Sequence, residues 1–95
     1  MSVIEDIAAE RRRQVEAEGW SLQHDNEHIP GELALAGACY AMCDFPNSDV
    51  KASADRHWPW EDGAWRPKDR RRNLVRAAAL IVAEIERLDR TEPQP

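Results

Sequence analysis

The sequence is most informative first for what it has little of. No apolar run approaches the roughly 20 residues that cross a bilayer, so a membrane-spanning role is not expected. Positive charge is in deficit, with 13 Lys and Arg against 18 Asp and Glu and a formal net charge of −5, which argues against nonspecific binding of duplex nucleic acid. A local basic patch remains compatible with holding a phosphate. The start of the chain, MSVIEDIAAERRR, lacks a long apolar core and places acids before its arginines, so it does not read as a signal peptide. Cysteine is scarce: Cys39 and Cys43 stand four apart on one helical face and read as buried free thiols in a reducing cytoplasm, the expected compartment, rather than as a metal or redox pair.

What is present describes a small water-borne domain. Apolar residues make up 42% and charged residues 33% of 95 positions, a globular composition in a single domain. A chain of this size buries only roughly 60–65% of its unfolded surface, so pairing with another copy is expected.

The clearest signal runs from Lys68 to Arg90. Leu74, Ala78, Ile81, Ile85 and Leu88 fall on one narrow stripe at helical spacing, flanked by Val82 and Ala77, and the stripe is expected to face the core. Pro67 precedes it, Asp69 suits the positive end of a helix, and Pro93 and Pro95 prevent continuation. Leu80 lies about 120° away from the stripe, where it is expected to need cover from an oligomer contact. A first helix is expected over 3–18, with Ser2 and Glu5 as a capping box and Ile4, Ile7, Ala8, Arg11 and Val15 inward. Gly19 stops it, and Trp20 reads as a plug over its end. A second, over 31–43, is apolar almost all round, and Ala36, Gly37 and Ala38 allow close helix approach. The fold class is therefore all-α: a three-helix core, with helices at about 3–18, 31–43 and 68–90, and a long loop over 44–67.

Two stretches carry chemistry. Within Ser21–Pro30, His24, Asp25 and His28 crowd together with Glu27, and Glu32 follows; these are ligand types for zinc or magnesium, although polar loops collect such residues routinely and capping with surface hydrogen bonds is the favoured reading. The 44–67 segment holds Trp58, Trp60 and Trp65, and Lys68, Arg70, Arg71 and Arg72 come directly after. Tryptophans there can cover the core, form a protein contact, or stack on a nucleobase whose phosphates meet the adjacent cations.

Several motifs stand in order along the chain: Glu10-Arg11 with Gln14, a Gly-Trp and His turn, Gly31-Glu32-Leu33-Ala34, then Asn73-Leu74-Val75 through Ala77-Ala78 to Glu84, Glu86 and Leu88-Asp89-Arg90. In this the chain resembles small phage and prophage proteins related to the MazG family. The resemblance implies an all-α, usually oligomeric fold and, in active members, magnesium-dependent nucleoside triphosphate pyrophosphatase activity between the α- and β-phosphates. That activity rests on acidic groups, EE-x-x-E and E-x-x-D, holding magnesium beside the phosphates. Here Glu32 keeps the last acid of the first group, while His28 and Ile29 replace its leading pair and Asn73 and Arg76 replace the acids of the second. Either hydrolysis is lost and ligand binding remains, or another set drawn from His24, Asp25, His28, Glu32 and Glu84 has taken over, with Glu32 and Glu84 the candidate catalytic residues. The favoured expectation is a binder of a nucleotide or related phosphorylated small molecule. An interaction protein that blocks a host factor through the tryptophan loop is the alternative from another class, and an active magnesium-dependent pyrophosphatase is the third.

Overall fold

The computed structural model describes residues 2–16 and 31–91. Gly19, Trp20, His24, Asp25, Glu27 and His28 lie outside the described residues. Four α-helices and one 3-10 turn make up the regular structure of the described part: α1 Val3–Glu16, α2 Glu32–Met42, α3 Ser48–His57, the turn Asp62–Ala64, and α4 Arg70–Thr91. No described helix is long and apolar enough to cross a membrane.

Local chemistry starts each helix. At α1 the Ser2 amide donates to Glu5 Oε1 at 3.0 Å and the Glu5 amide to Ser2 Oγ at 3.1 Å, the expected capping box. Asn47 opens α3 by accepting from the Asp49 and Val50 amides at 2.9 and 3.1 Å. The Asn73 side chain accepts from the Lys68 amide at 2.7 Å and donates to the Lys68 carbonyl at 3.0 Å, fixing the approach of the chain into α4. Gly31, at φ 94°, begins α2 in a left-handed conformation that a side chain would oppose.

α2 and α4 run antiparallel: Gly31 meets Glu84 at one end and Cys43 meets Asn73 at the other. Gly37 sets their distance. A Cβ there would lie 3.0 Å from the Ala77 carbonyl oxygen and 3.1 Å from Ile81 Cγ1, so the closest approach needs the missing side chain. The core is consequently thin and built of small residues, with Leu33, Ala36, Cys39 and Tyr40 of α2 against Ala77, Leu80 and Ala83 of α4. α3 adds Ala54, and Trp58 closes the end.

Three expectations are corrected. The apolar stripe of α4 does not face the core: Leu74, Ile81 and Ile85 are 42, 44 and 52% exposed, and Ala78, Val82 and Leu88 are half-buried. The buried side is Asn73, Ala77, Leu80, Glu84 and Arg87, so Leu80, expected to need an oligomer contact, is fully buried within the chain. In α1 the inward residues are Glu10, Arg11 and Gln14, whereas Ile4 is 70% exposed and Ala8 is exposed. Finally, the 44–67 segment is not a continuous loop, because α3 occupies its first half. The first two share a cause: the polar residues of α1 and α4 pair with one another, which removes the penalty of burying them.

Candidate functional site

The polar interior begins at Glu10. Its carboxylate, 1% exposed, is held by Arg13 in a fork, with Nε to Oε1 at 2.8 Å and Nη2 to Oε2 at 2.7 Å. Arg72 Nη2 donates to Oε1 from α4, Gln14 Nε2 donates to Oε2 at 3.2 Å, and Arg76 Nε stands 4.0 Å from Oε2. Burial pushes the Glu10 carboxyl upward, but the hydrogen bond and charge of Arg13, with the charges of Arg72 and Arg76, outweigh it and hold the group below its ordinary value. Three guanidiniums thus converge on one carboxylate. Gln14 Oε1 and Arg76 Nε, both on buried side chains, have no hydrogen-bond partner among the described residues.

Arg76 joins this cluster to the aromatic side of the molecule. Its Nη1 donates to the Arg66 carbonyl at 2.9 Å and to the Tyr40 hydroxyl at 3.4 Å, and its guanidinium carbon lies 5.7 Å from the Tyr40 ring centre. The Arg66 amide also donates to the Tyr40 hydroxyl, at 3.2 Å. Tyr40 in turn carries the tryptophans, with ring centres 5.5 Å from Trp58 and 4.8 Å from Trp65; Trp58 lies 4.7 Å from Trp65 and 5.3 Å from Trp60. Each indole N–H is satisfied: Trp58 by the Glu61 carbonyl at 3.0 Å, Trp60 by Glu32 at 2.7 Å, and Trp65 by Asp55 at 3.0 Å.

The residues singled out in the sequence are distributed unequally over this framework. Trp58 is buried, while Trp60 and Trp65 are half-buried. Glu32 and Glu84 come to the same end of α2: Glu84 Oε2 accepts from the Gly31 amide at 2.9 Å and its Oε1 from Arg87 Nε at 2.6 Å. Among the described residues no group of three His, Cys, Asp or Glu side chains is arranged to hold a metal ion. At the opposite end of α2, Lys68 is exposed, Arg70 pairs with Asp44 at 2.6 Å, Arg71 with Asp6 at 2.6 Å, and Arg72 with Glu10. The Arg70 and Arg71 pairs are exposed enough to contribute about 0–1 kcal/mol, so both groups are open to a competing anion.

Cys39 and Cys43 are free and buried, and burial, with neighbouring negative charge, raises both thiols. Asn73 Nδ2 lies 3.4 Å from Cys43 Sγ, which makes the lower cysteine part of the α2–α4 contact.

Glu10, Gln14, Tyr40 and Arg76 were not candidates on apolar periodicity. Their signal was the Glu10/Gln14 spacing of four on α1, complementary to Arg72 and Arg76, also four apart, on α4. No family model, no curated protein and no solved structure matches this chain.

Proposed function

We propose that the chain is a phage-type MazG-like protein of the cytoplasm that binds a nucleotide or related phosphorylated small molecule without hydrolysing it. The observation that carries this reading is the run of cations Lys68, Arg70, Arg71 and Arg72 at the start of α4, a few residues after the half-buried Trp65, in a protein that is acidic overall. Exposed Lys68, with Arg70 and Arg71 leaving weak surface pairs, supplies the phosphate contacts, and Arg72 joins them from its position at the edge of the Glu10 cluster. Trp65, half-buried and three residues before Lys68, offers a ring for a base, with Trp58 packed against it and Trp60 beyond on the Glu32 side. Glu32 and Glu84 are engaged by Trp60, Gly31 and Arg87, which supports binding rather than metal-assisted cleavage at this end of α2.

Thermal unfolding in the presence of nucleotides tests the proposal. A triphosphate should raise the melting temperature as its excess grows, by about 2.7 kcal/mol of stabilisation at a hundredfold excess over Kd, with or without magnesium. Charge reversal of Arg71 and Arg72 together should abolish the shift, and Glu32→Gln should leave most of it. A strict magnesium requirement with release of monophosphate and pyrophosphate would instead identify a pyrophosphatase. No shift with any nucleotide would favour an interaction protein directed at a host factor.

A further inference from the structure

α4 has two faces, and among the described residues one of them carries most of the packing. Its inner face supplies Leu80, Glu84 and Arg87 to the interior. Its outer face is Leu74, Ala78, Ile81, Ile85 and Leu88, spaced alternately four and three residues apart, the repeat of a helix–helix seam. The three largest side chains near its middle are between 42 and 52% exposed.

The apolar surface continues beyond α4 on both sides. Ile81 rests against α2 at Gly37 and keeps 44% of its surface exposed. Val82 lines a recess of about 280 Å³ with Ile4, Ile7 and Ala8 of α1, bounded by the Arg11–Glu86 ion pair. Together these side chains expose on the order of 500 Å² of apolar surface, at the upper end for a monomer and close to the apolar portion of the roughly 800 Å² that one protomer brings to a standard homodimer.

We propose that this face is the docking surface for a second copy of the chain, with the two α4 helices packed antiparallel. Heptad-like spacing is complemented by a helix of the same spacing, which a second α4 is. The flanking charges set the direction. Arg71 and Asp89 lie at opposite ends of α4 on the same edge of the seam, both exposed, so antiparallel packing brings Arg71, which pairs with Asp6 in the single chain, beside the partner's Asp89, twice by symmetry, whereas parallel packing leaves the two residues at opposite ends and on opposite sides of the seam. The same register places Leu74 opposite the partner's Ile85 and Ala78 opposite the partner's Ile81, so a small side chain faces a large one at the centre.

The inference does not depend on nucleotide binding and is tested by mass. Light scattering and sedimentation at micromolar concentration should give twice the 10.9 kDa chain mass. Ile81→Glu should raise the concentration needed for dimerisation about 100-fold with helicity unchanged, because the side chain is exposed in the single chain. If that variant loses helicity, Ile85→Lys makes the same test on the same seam. Arg71→Asp should weaken the dimer, and Arg71→Asp with Asp89→Arg should restore it. A monomeric wild-type chain overturns the proposal, as does a dimer indifferent to both seam variants; failure of the charge exchange to restore association overturns the antiparallel packing.

Discussion

Leu80 and Ile81 are adjacent in sequence and lie on opposite sides of the question of which way α4 faces. Leu80 is fully buried, one of the largest such side chains, and its Cβ lies 3.5 Å from where a Cβ on Gly37 would be. Replacing it with alanine removes buried carbons from a core composed mainly of alanines, whose backbones are held apart by helix geometry and do not close the gap. The cost should be about 3 kcal/mol. For a domain of this length that is a fall in melting temperature of roughly 12–24 °C. Ile81 is 44% exposed, so its truncation forfeits about half of a full burial energy and leaves no enclosed cavity, for a cost of about 1 kcal/mol. Both substitutions belong in an Ile85→Glu background, where association through the outer seam adds nothing to the measured stability. Urea unfolding followed by far-ultraviolet circular dichroism gives the two numbers. If Ile81→Ala costs as much as Leu80→Ala in that background, α4 is rotated relative to the packing described and the exposed seam is not a surface.

Three further outcomes follow from individual contacts. Gly37→Ala should destabilise by about 1–3 kcal/mol despite the better helix propensity of alanine, because the new Cβ meets the Ala77 carbonyl oxygen at 3.0 Å; a stabilised variant in urea unfolding would show that α2 and α4 separate freely. Glu10 has a native pKa below its unfolded value of about 4.3, so its contribution is complete above that value and is lost as pH falls through the native one. Glu10→Gln should therefore flatten the acid limb of the stability profile and cost about 3 kcal/mol or more at neutral pH by leaving arginines buried without their counter-charge; an unaltered acid limb would contradict the assignment. Trp60→Phe should lower stability by about 1–2 kcal/mol through loss of the N–H donated to Glu32, and Glu32→Gln, which keeps an acceptor oxygen, should cost less; equal losses in thermal unfolding would mean that charge, not the hydrogen bond, matters there.

The sequence identified α1, α2 and α4 because each has a cap, a stop or a long period that depends only on neighbours in the chain. It did not identify α3. SDVKASADRH buries only Ala54, so no apolar period marks it, and its one local signal was Asn47 before Ser48. The rotation of α4 was illegible for a different reason. Periodicity locates the apolar side of a helix, but the side turned inward depends on the partner, and here α1 offers Glu10, itself held by Gln14, to Arg72 and Arg76 while α2 offers a glycine and alanines. Small and mutually paired residues make an adequate interior, and the large aliphatic side is left outward. At the candidate site the tryptophans and cations were visible as neighbours in sequence, whereas Tyr40 and Arg76, which join them, come from separate helices and are brought together only by the fold.

The tryptophan cluster also makes the protein its own optical reporter. With indole centres 4.7 and 5.3 Å apart at fixed angles, the electronic transitions of Trp58, Trp60 and Trp65 couple, giving a near-ultraviolet dichroism contribution that is lost when the segment from 58 to 65 leaves Tyr40. The helical signal, by contrast, comes mainly from α1, α2 and α4. Following both bands through one melt separates detachment of this segment from loss of the helices, so an event at the aromatic end of the molecule can be timed against global unfolding without attaching a label.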